Sequence, residues 1–272
     1  MVSALVPLAP ALALVAYFLI ALAVFAVRCA RRGLPADTQI DGRPASRLLG
    51  RWIRHYMVWT LSPWERALVR LHVAPNRITL ASLVVACGAG AALAWGRFTL
   101  GGWLYLLAGM LDILDGRVAR ASGRVTRGGA YFDSVIDRYA ELAVFSGLAL
   151  YYRATPALWV VLAAAVGSVM VSYARARAQG LGVDAPIGAM QRPERLFYLG
   201  VVVAHSPLVE LLAPSRGRPL YLPTVIALGL LAVSSHVTAA RRIVHTLRAL
   251  DGPQNVTAVK RGRLLALLRT TG

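Results

Sequence analysis

Long apolar stretches alternate with short polar segments along most of the chain. A first apolar run covers residues 4–27, and a mixed segment follows at 29–75. Six further runs come after it, at 77–96, 100–120, 129–152, 156–178, 194–213 and 220–243. A helix of about 20 apolar residues is long enough to cross a bilayer. We therefore expect an all-α, polytopic membrane protein with six core transmembrane helices and an extra N-terminal transmembrane helix.

The segment 29–75 has the pattern of amphipathic helices near the membrane surface. Its first part has an apolar stripe opposite a stripe of arginines, typical of a helix lying in the headgroup plane. The stripes consist of Leu48, Trp52, Tyr56 and Trp59 and of Arg47, Arg51 and Arg54. Ser62, Pro63 and Glu65 fit a capping box and predict that a second helix starts there. Two helices packed on a soluble core are the alternative interpretation.

These patterns divide the chain into four predicted parts. They are an N-terminal anchor (1–28), the interfacial segment (29–75), a six-helix domain (76–247) and a basic tail (248–272). Pro75, Asn76 and Thr79 lie at the start of the six-helix domain, and Asn76 is a plausible helix cap.

Charge adds an orientation to this picture. The net charge is +18, the chain is 57% hydrophobic, and its mean hydropathy is +0.59, which leaves no room for a large soluble domain. Most arginines fall in the segments 29–75, 121–128, 179–193 and after 243. The positive-inside rule then predicts a multi-pass protein of the cell (inner, cytoplasmic) membrane, with its N-terminus outside and these segments in the cytoplasm. We expect membrane lipids as partners and no nucleic acid.

Four aspartates occupy positions where apolar helices are expected. Asp112 and Asp115 are three residues apart in one run, and Asp133 and Asp137 are four apart in the next, so each pair shares a helix face. A charged side chain at bilayer depth costs about 2.5–3.5 kcal/mol and usually marks a functional site. Because carboxylates that converge repel one another, we expect a divalent cation among them, Mg²⁺ or Mn²⁺, with two ions favoured.

The residues around these acids resemble the signature of the CDP-alcohol phosphotransferase family. The matching positions are Asp112-x2-Asp115-Gly116-x2-Ala119-Arg120 and, after eight residues, Gly129-x3-Asp133-x3-Asp137. The resemblance implies transfer of a substituted phosphoryl group from a CDP-linked lipid to an alcohol, with release of CMP, by a membrane enzyme that is a homodimer.

The resemblance also implies roles for individual residues. The expected metal ligands are Asp112, Asp115, Asp133 and Asp137, and Asp137 is the candidate catalytic base. The expected pocket for the CDP moiety of the donor is formed by Asn76, Thr79, Asp112, Asp115, Gly116, Ala119, Arg120 and Gly129. The active site is expected to face the cytoplasm, where CMP can leave.

Arginines near two later helix ends suggest how the acceptor is held. Guanidinium groups bind phosphate oxygens through two parallel hydrogen bonds, so a cluster of them suits a phosphorylated acceptor. The cluster consists of Arg175, Arg177, Arg192, Arg195 and Arg242. It resembles the acceptor site of the phosphatidylinositol phosphate synthases within the family, although Arg175 and Gln191 replace residues that are common there. The expected substrates are therefore CDP-diacylglycerol and a phosphorylated polyol, inositol phosphate first and glycerol 3-phosphate as the alternative.

Three other interpretations compete with this one. A cation-coupled secondary transporter also places acids in membrane helices, but it favours sites near the midplane and internal repeats. A lipid-binding protein without catalysis is the second. The third is that the small residues only pack helices and the aspartates pair with nearby arginines. Metal-dependent release of CMP distinguishes the enzyme from all three.

Overall fold

The computed structural model describes residues 9–35, 51–185, 187, 192–212, 217 and 219–251. Within these residues the chain forms eight α-helices and no strand. The helices are α1 (Ala9–Arg32), α2 (Arg51–Arg70), α3 (Pro75–Ala94), α4 (Phe98–Ala121), α5 (Arg127–Tyr152), α6 (Ala157–Gly180), α7 (Arg192–Leu212) and α8 (Leu222–Asp251).

Four of these helices, α3, α4, α6 and α8, are long and apolar enough to cross a membrane. Large apolar side chains such as Val84, Trp159 and Leu230 are exposed on their outer faces, where lipid rather than water would satisfy them. Helices α5 and α7 have similar lengths but carry charged residues within their apolar sequence. The all-α, polytopic membrane bundle predicted from the sequence is confirmed.

Helices α3–α8 form a closed ring. Helix α3 packs against α4 and α5, α4 packs against α7, α7 against α8, α8 against α6, and α6 against α5. By contrast, α4 and α5 make little direct contact with each other, although they follow one another in the chain. A cleft therefore opens between the two helices that carry the aspartates.

Glycines allow the closest approach in this ring. A Cβ atom on Gly147 of α5 would overlap the backbone of Gly90 in α3, and one on Gly90 would overlap the carbonyl of Ala143. A similar contact joins Gly102 of α4 to the backbone of Ala204 in α7. Small residues at such positions let helix backbones pack directly against each other, as in other membrane bundles.

Helices α1 and α2 pack outside the ring. Phe25 of α1 is fully buried against Trp52, Tyr56 and Trp59 of α2, with ring centroids 5.2–5.8 Å apart. The Tyr56 hydroxyl also donates to the carbonyl of Phe18 at 2.5 Å. The apolar stripe predicted in this segment thus contacts α1, while its first member, Leu48, and Arg47 of the arginine stripe lie outside the described residues.

The prediction that a second helix starts at Ser62 is wrong. Helix α2 runs without interruption through Pro63. Proline has no N–H, so the carbonyl four residues earlier, at Trp59, loses its usual partner. The Ser62 hydroxyl donates to that carbonyl at 2.8 Å, and Glu65 pairs with Arg117 of α4 at 2.5 Å instead of completing a capping box.

Two other boundaries differ from the sequence prediction. Helix α3 begins at Pro75 with Ala74 as its N-cap and no side-chain cap, so Asn76 is not the cap. Proline suits the first helical position because its missing N–H needs no partner there. Helix α8 continues to Asp251, eight residues past the apolar run that ends at 243, because an α-helix can continue as an amphipathic helix after its apolar part ends.

Candidate active site

The site is formed where the end of α4 and the beginning of α5 meet. A short turn joins them and begins with Gly123 at φ +67°, a left-handed conformation that favours glycine. Helix α5 then starts at an N-cap, Thr126, whose hydroxyl oxygen accepts from the Gly129 N–H at 2.9 Å. This tight connection brings the two aspartate pairs to the same end of the bundle.

Three of the four aspartates converge across the cleft. Asp112, Asp133 and Asp137 each offer a carboxylate oxygen within 4.8 Å of the other two. Asp133 and Asp137 reach the cleft from successive turns of α5, and Asp112 reaches it from α4. The predicted convergence of the pairs is therefore present in the structure for these three residues.

The chemistry of this cluster fits a divalent cation. One oxygen of Asp133, Oδ1, is buried and has no hydrogen-bond partner within the described part of the chain. A buried carboxylate oxygen without a partner is energetically costly, and coordination to a hard cation would satisfy it. Oxygen ligands alone favour Mg²⁺ or Mn²⁺.

Asp115 stands apart from that group of three and faces α3. It is 4% exposed, and its Oδ2 accepts a hydrogen bond of 2.6 Å from the Thr79 hydroxyl. Two residues expected near the CDP moiety thus contact each other directly. Asp115 is still within electrostatic range of Asp112 and Asp133.

Other residues expected at the CDP pocket also lie together. The Arg120 guanidinium passes over Gly116, where an added Cβ would lie 3.3 Å from Nη1. Gly129 faces Asn76, where an added Cβ would lie 3.6 Å from Oδ1. Ala119 is partly buried beside them on α4. The absence of a side chain at Gly116 and Gly129 therefore lets Arg120 and Asn76 lie close to the backbone between α3, α4 and α5.

Arg192 lies among the aspartates and joins both sides of the cleft. Its Nη1 is 2.7 Å from Asp112 Oδ2, and its Nη2 is 2.8 Å from Asp137 Oδ1. Asp137 also has Arg138 at 3.6 Å. The interpretation that the aspartates pair with arginines thus holds for two of the four, whereas Asp133 Oδ1 lacks such a partner.

Arg195 lies one helical turn further along α7 and is held in a buried network. It is 2% exposed, and its Nη2 lies 3.3 Å from Glu141 Oε1, which also accepts from the Ser168 hydroxyl at 2.5 Å. Its Nε has no partner within the described residues. Sequence reasoning left Glu141 without a role, although its place one turn after Asp137 puts it on the same face of α5.

The remaining predicted acceptor arginines divide into buried and exposed ones. Arg242 is 4% exposed and donates to the carbonyls of Ile187 at 2.7 Å and Val171 at 2.6 Å. Arg175 and Arg195 are the charged groups that act most strongly on it, and we call these three arginines the positive region. Arg175 and Arg177 are exposed near the end of α6.

Comparison with known proteins agrees with this geometry. Residues 72–231 match the model of the family described as CDP-alcohol phosphatidyltransferase. The chain is 32% identical over 196 residues to a phosphatidylinositol phosphate synthase of Cutibacterium acnes, which covers 70% of this chain and 94% of that protein. It is 33% identical over 219 residues to one of Streptomyces avermitilis, with 78% and 88% covered.

Solved structures give the same result. The phosphatidylinositol phosphate synthase of Mycobacterium tuberculosis with CDP-DAG bound superposes with a TM-score of 0.59 and 29% identity, covering 68% of this chain and 92% of that one. Another structure of that enzyme, in complex with manganese and citrate, has the same score and identity, with 68% and 87% covered. The family match, the similarity to these relatives and the shared fold show that the chain is a transferase that belongs to the CDP-alcohol phosphatidyltransferase family.

Proposed function

We propose that this enzyme transfers a phosphatidyl group from CDP-diacylglycerol to a hydroxyl of a phosphorylated polyol, most specifically inositol phosphate, and releases CMP. The observation that carries the proposal is the cluster of Asp112, Asp133 and Asp137, with its unpartnered buried oxygen, beside the arginines of α7. The anionic cluster suits cations that bind a pyrophosphate, and the arginines suit an acceptor phosphate.

Asp112, Asp133 and Asp137 would hold the cations, with Asp115 as a further ligand on the α3 side. Two divalent ions, Mg²⁺ or Mn²⁺, would neutralise charge on the pyrophosphate and on the leaving CMP. The hydroxyl of Thr79 orients Asp115 by its hydrogen bond, which leaves the other carboxylate oxygen for a cation or for the donor.

The chain's own residues account for the proton in the reaction. The acceptor oxygen forms a bond to the phosphorus that carries the diacylglycerol, the bond from that phosphorus to the CMP oxygen breaks, and the hydroxyl proton goes to a carboxylate. Asp137 is the candidate base because, of the three clustered aspartates, it lies one turn before Glu141 on α5, and Glu141 pairs with Arg195 of the positive region.

The cleft between α3, α4 and α5 would take the CDP moiety. Arg120 lies over Gly116 and Asn76 lies beside Gly129, so both place polar groups at its sides, and Ala119 adds only a methyl group. The relative with CDP-DAG bound, at 29% identity, supports this donor. Because the cleft opens between membrane helices, the acyl chains can remain in the bilayer while the headgroup reaches the aspartates.

The positive region would take the acceptor phosphate. Arg242 lies within electrostatic range of both Arg175 and Arg195, and Arg177 is exposed on the last turn of α6. Guanidinium groups that already have protein partners, as Arg195 and Arg242 do, keep a fixed geometry for an incoming anion. The names of the relatives, phosphatidylinositol phosphate synthases, favour inositol phosphate over glycerol 3-phosphate.

The membrane orientation and assembly stay as predicted from the sequence. The site lies at the end of the bundle that carries Arg120, Arg124 and Arg127, which favours a cytoplasmic position under the positive-inside rule. The homodimer is part of the same proposal.

The test is a turnover assay with purified protein, Mg²⁺ and CDP-diacylglycerol. We expect CMP to be released with inositol phosphate as the acceptor. Release should be at least about tenfold slower with glycerol 3-phosphate, because a pocket shaped for inositol phosphate fits the other acceptor less well. Faster release with glycerol 3-phosphate would show that this compound is the acceptor and would leave the proposed reaction type unchanged. Absence of CMP with either acceptor, or release that survives removal of divalent cations by EDTA, would contradict the proposed function.

A further inference from the structure

We infer that Arg192 is the counter-ion of the aspartate cluster before a divalent cation binds. Cation binding would displace the Arg192 side chain from the aspartates. Arg192 would then be available to bind the acceptor phosphate. The inference rests on the proposed function, because it takes the cation to bind among Asp112, Asp133 and Asp137. It assigns to Arg192 a positioning role at both halves of the site.

The contacts of Arg192 show why it competes with a cation. Its two terminal nitrogens bind Asp112 and Asp137, one from each side of the cleft, at 2.7 and 2.8 Å. These are two of the three carboxylates that converge within 4.8 Å. A guanidinium and a divalent cation on the same two carboxylates would repel each other strongly in such a partly buried site. Each therefore weakens the binding of the other.

The place of Arg192 in the fold allows it to move. It is the first residue of α7, and its side chain is 21% exposed. Arg195, one turn later, is 2% exposed and has both Glu141 and the surrounding core to fix it. Of the two arginines, only Arg192 can leave its acid partners without opening the core.

The position of Arg192 at the start of α7 favours an anion beside it. The N-terminus of a helix carries partial positive charge, so a guanidinium there is unfavourable unless an anion lies nearby. The aspartates supply that anion in the structure. Once a cation neutralises them, a phosphate group beside the end of α7 is the natural replacement, because helix N-termini and arginines both bind phosphate. Cation binding would therefore prepare the acceptor pocket.

The first experiment measures Mn²⁺ binding to the full-length protein in nanodiscs, without donor or acceptor, by the EPR signal of free Mn²⁺. We expect Arg192→Gln to bind Mn²⁺ about tenfold more tightly than the wild type because a competing positive charge is gone. Arg192→Lys keeps the charge but not the fork, so its affinity should lie between the two. Arg241→Gln is the matched control, since Arg241 is exposed on α8, and it should bind like the wild type.

The outcomes separate this inference from the proposed function. Unchanged or weaker Mn²⁺ binding by Arg192→Gln would overturn the inference alone. Absence of Mn²⁺ binding in the wild type would overturn the proposed catalytic site as well. If Arg192→Gln does not fold, the second measurement is the affinity of the wild type for inositol phosphate with and without Mn²⁺. This affinity should rise about tenfold when Mn²⁺ is present, because two ligands that favour the same state of Arg192 strengthen each other's binding. Equal affinity with and without Mn²⁺ would contradict the inference.

Discussion

Thr79 of α3 donates a hydrogen bond of 2.6 Å to Asp115 of α4, 36 residues further along the chain. Both side chains are buried, so water does not compete for either group. The bond fixes the orientation of one carboxylate of the signature and ties the entry of α3 to the site. We propose that Thr79, a residue outside the acidic signature, influences the chemistry through this contact.

Replacement of Thr79 by valine should therefore impair catalysis without unfolding the protein. A hydrogen bond to a charged group contributes about 1.5–3 kcal/mol, so we expect kcat/KM for the donor to fall about tenfold to a hundredfold. Thr79→Ser keeps the hydroxyl and is the matched control. Steady-state CMP release measures both variants, and equal activity of Thr79→Val and Thr79→Ser would show that the hydrogen bond has no catalytic role.

Asp133 is the most sensitive position of the cluster. Asp133→Asn removes a negative charge and offers the buried site an amide in place of an unpartnered carboxylate oxygen. We expect Mn²⁺ binding to weaken and turnover to fall at least about a thousandfold, as for loss of a metal ligand in a two-metal site. Asp184→Asn changes an exposed aspartate in the same way and should retain activity. Comparable turnover in the two variants would refute the assignment of Asp133.

Glu141 and Arg195 should affect stability and acceptor binding separately. Arg195→Ala leaves Glu141 buried without its cation and should lower the free energy of unfolding by about 3–5 kcal/mol. It should also raise the KM for the acceptor phosphate. In the double variant Glu141→Gln/Arg195→Ala the buried charge is gone, so thermal stability should largely return while the high acceptor KM remains. If the KM recovered together with stability, Arg195 would be only a structural residue.

The contact between α3 and α5 predicts a purely structural effect. A Cβ on Gly147 would overlap the backbone of Gly90, and two helices would have to move apart. We expect Gly147→Ala to destabilise the bundle by about 1–3 kcal/mol or more. At Gly180, an added Cβ meets no atom within 4 Å, and Gly180→Ala should change stability by less than about 1 kcal/mol. Thermal unfolding in detergent distinguishes the two, and similar melting temperatures would disprove the close contact.

The sequence was informative where a pattern depends on neighbours along one helix. The spacing of Asp112, Asp133 and Asp137 placed their carboxylates on helix faces, and the short turn at Gly123 made their convergence predictable. The apolar runs predicted the core helices within a few residues except at the end of α8, because burial in lipid demands long apolar stretches. Residues 72–231, which match the family model, contain the aspartates and the turn at Gly123.

Contacts between distant parts of the chain were beyond such patterns. Arg192 reaches Asp112 across 80 residues, and Arg195 reaches Glu141 across 54, so no local spacing indicates either pair. The continuous helix through Pro63 was missed because a serine hydroxyl compensates for the lost hydrogen bond. Tertiary packing brings the two arginines to their acidic partners. At Pro63 the missing hydrogen bond is supplied by Ser62, which the sequence rules assign to a helix cap.

We propose that α4 and α5 together hold a divalent cation at the carboxylates of Asp112, Asp133 and Asp137. Crystals of the protein grown with Mn²⁺ and measured at the manganese absorption edge test it directly. The account predicts an anomalous difference peak between these three carboxylates, lost in Asp133→Asn. A peak elsewhere, with none at this cluster, would contradict it.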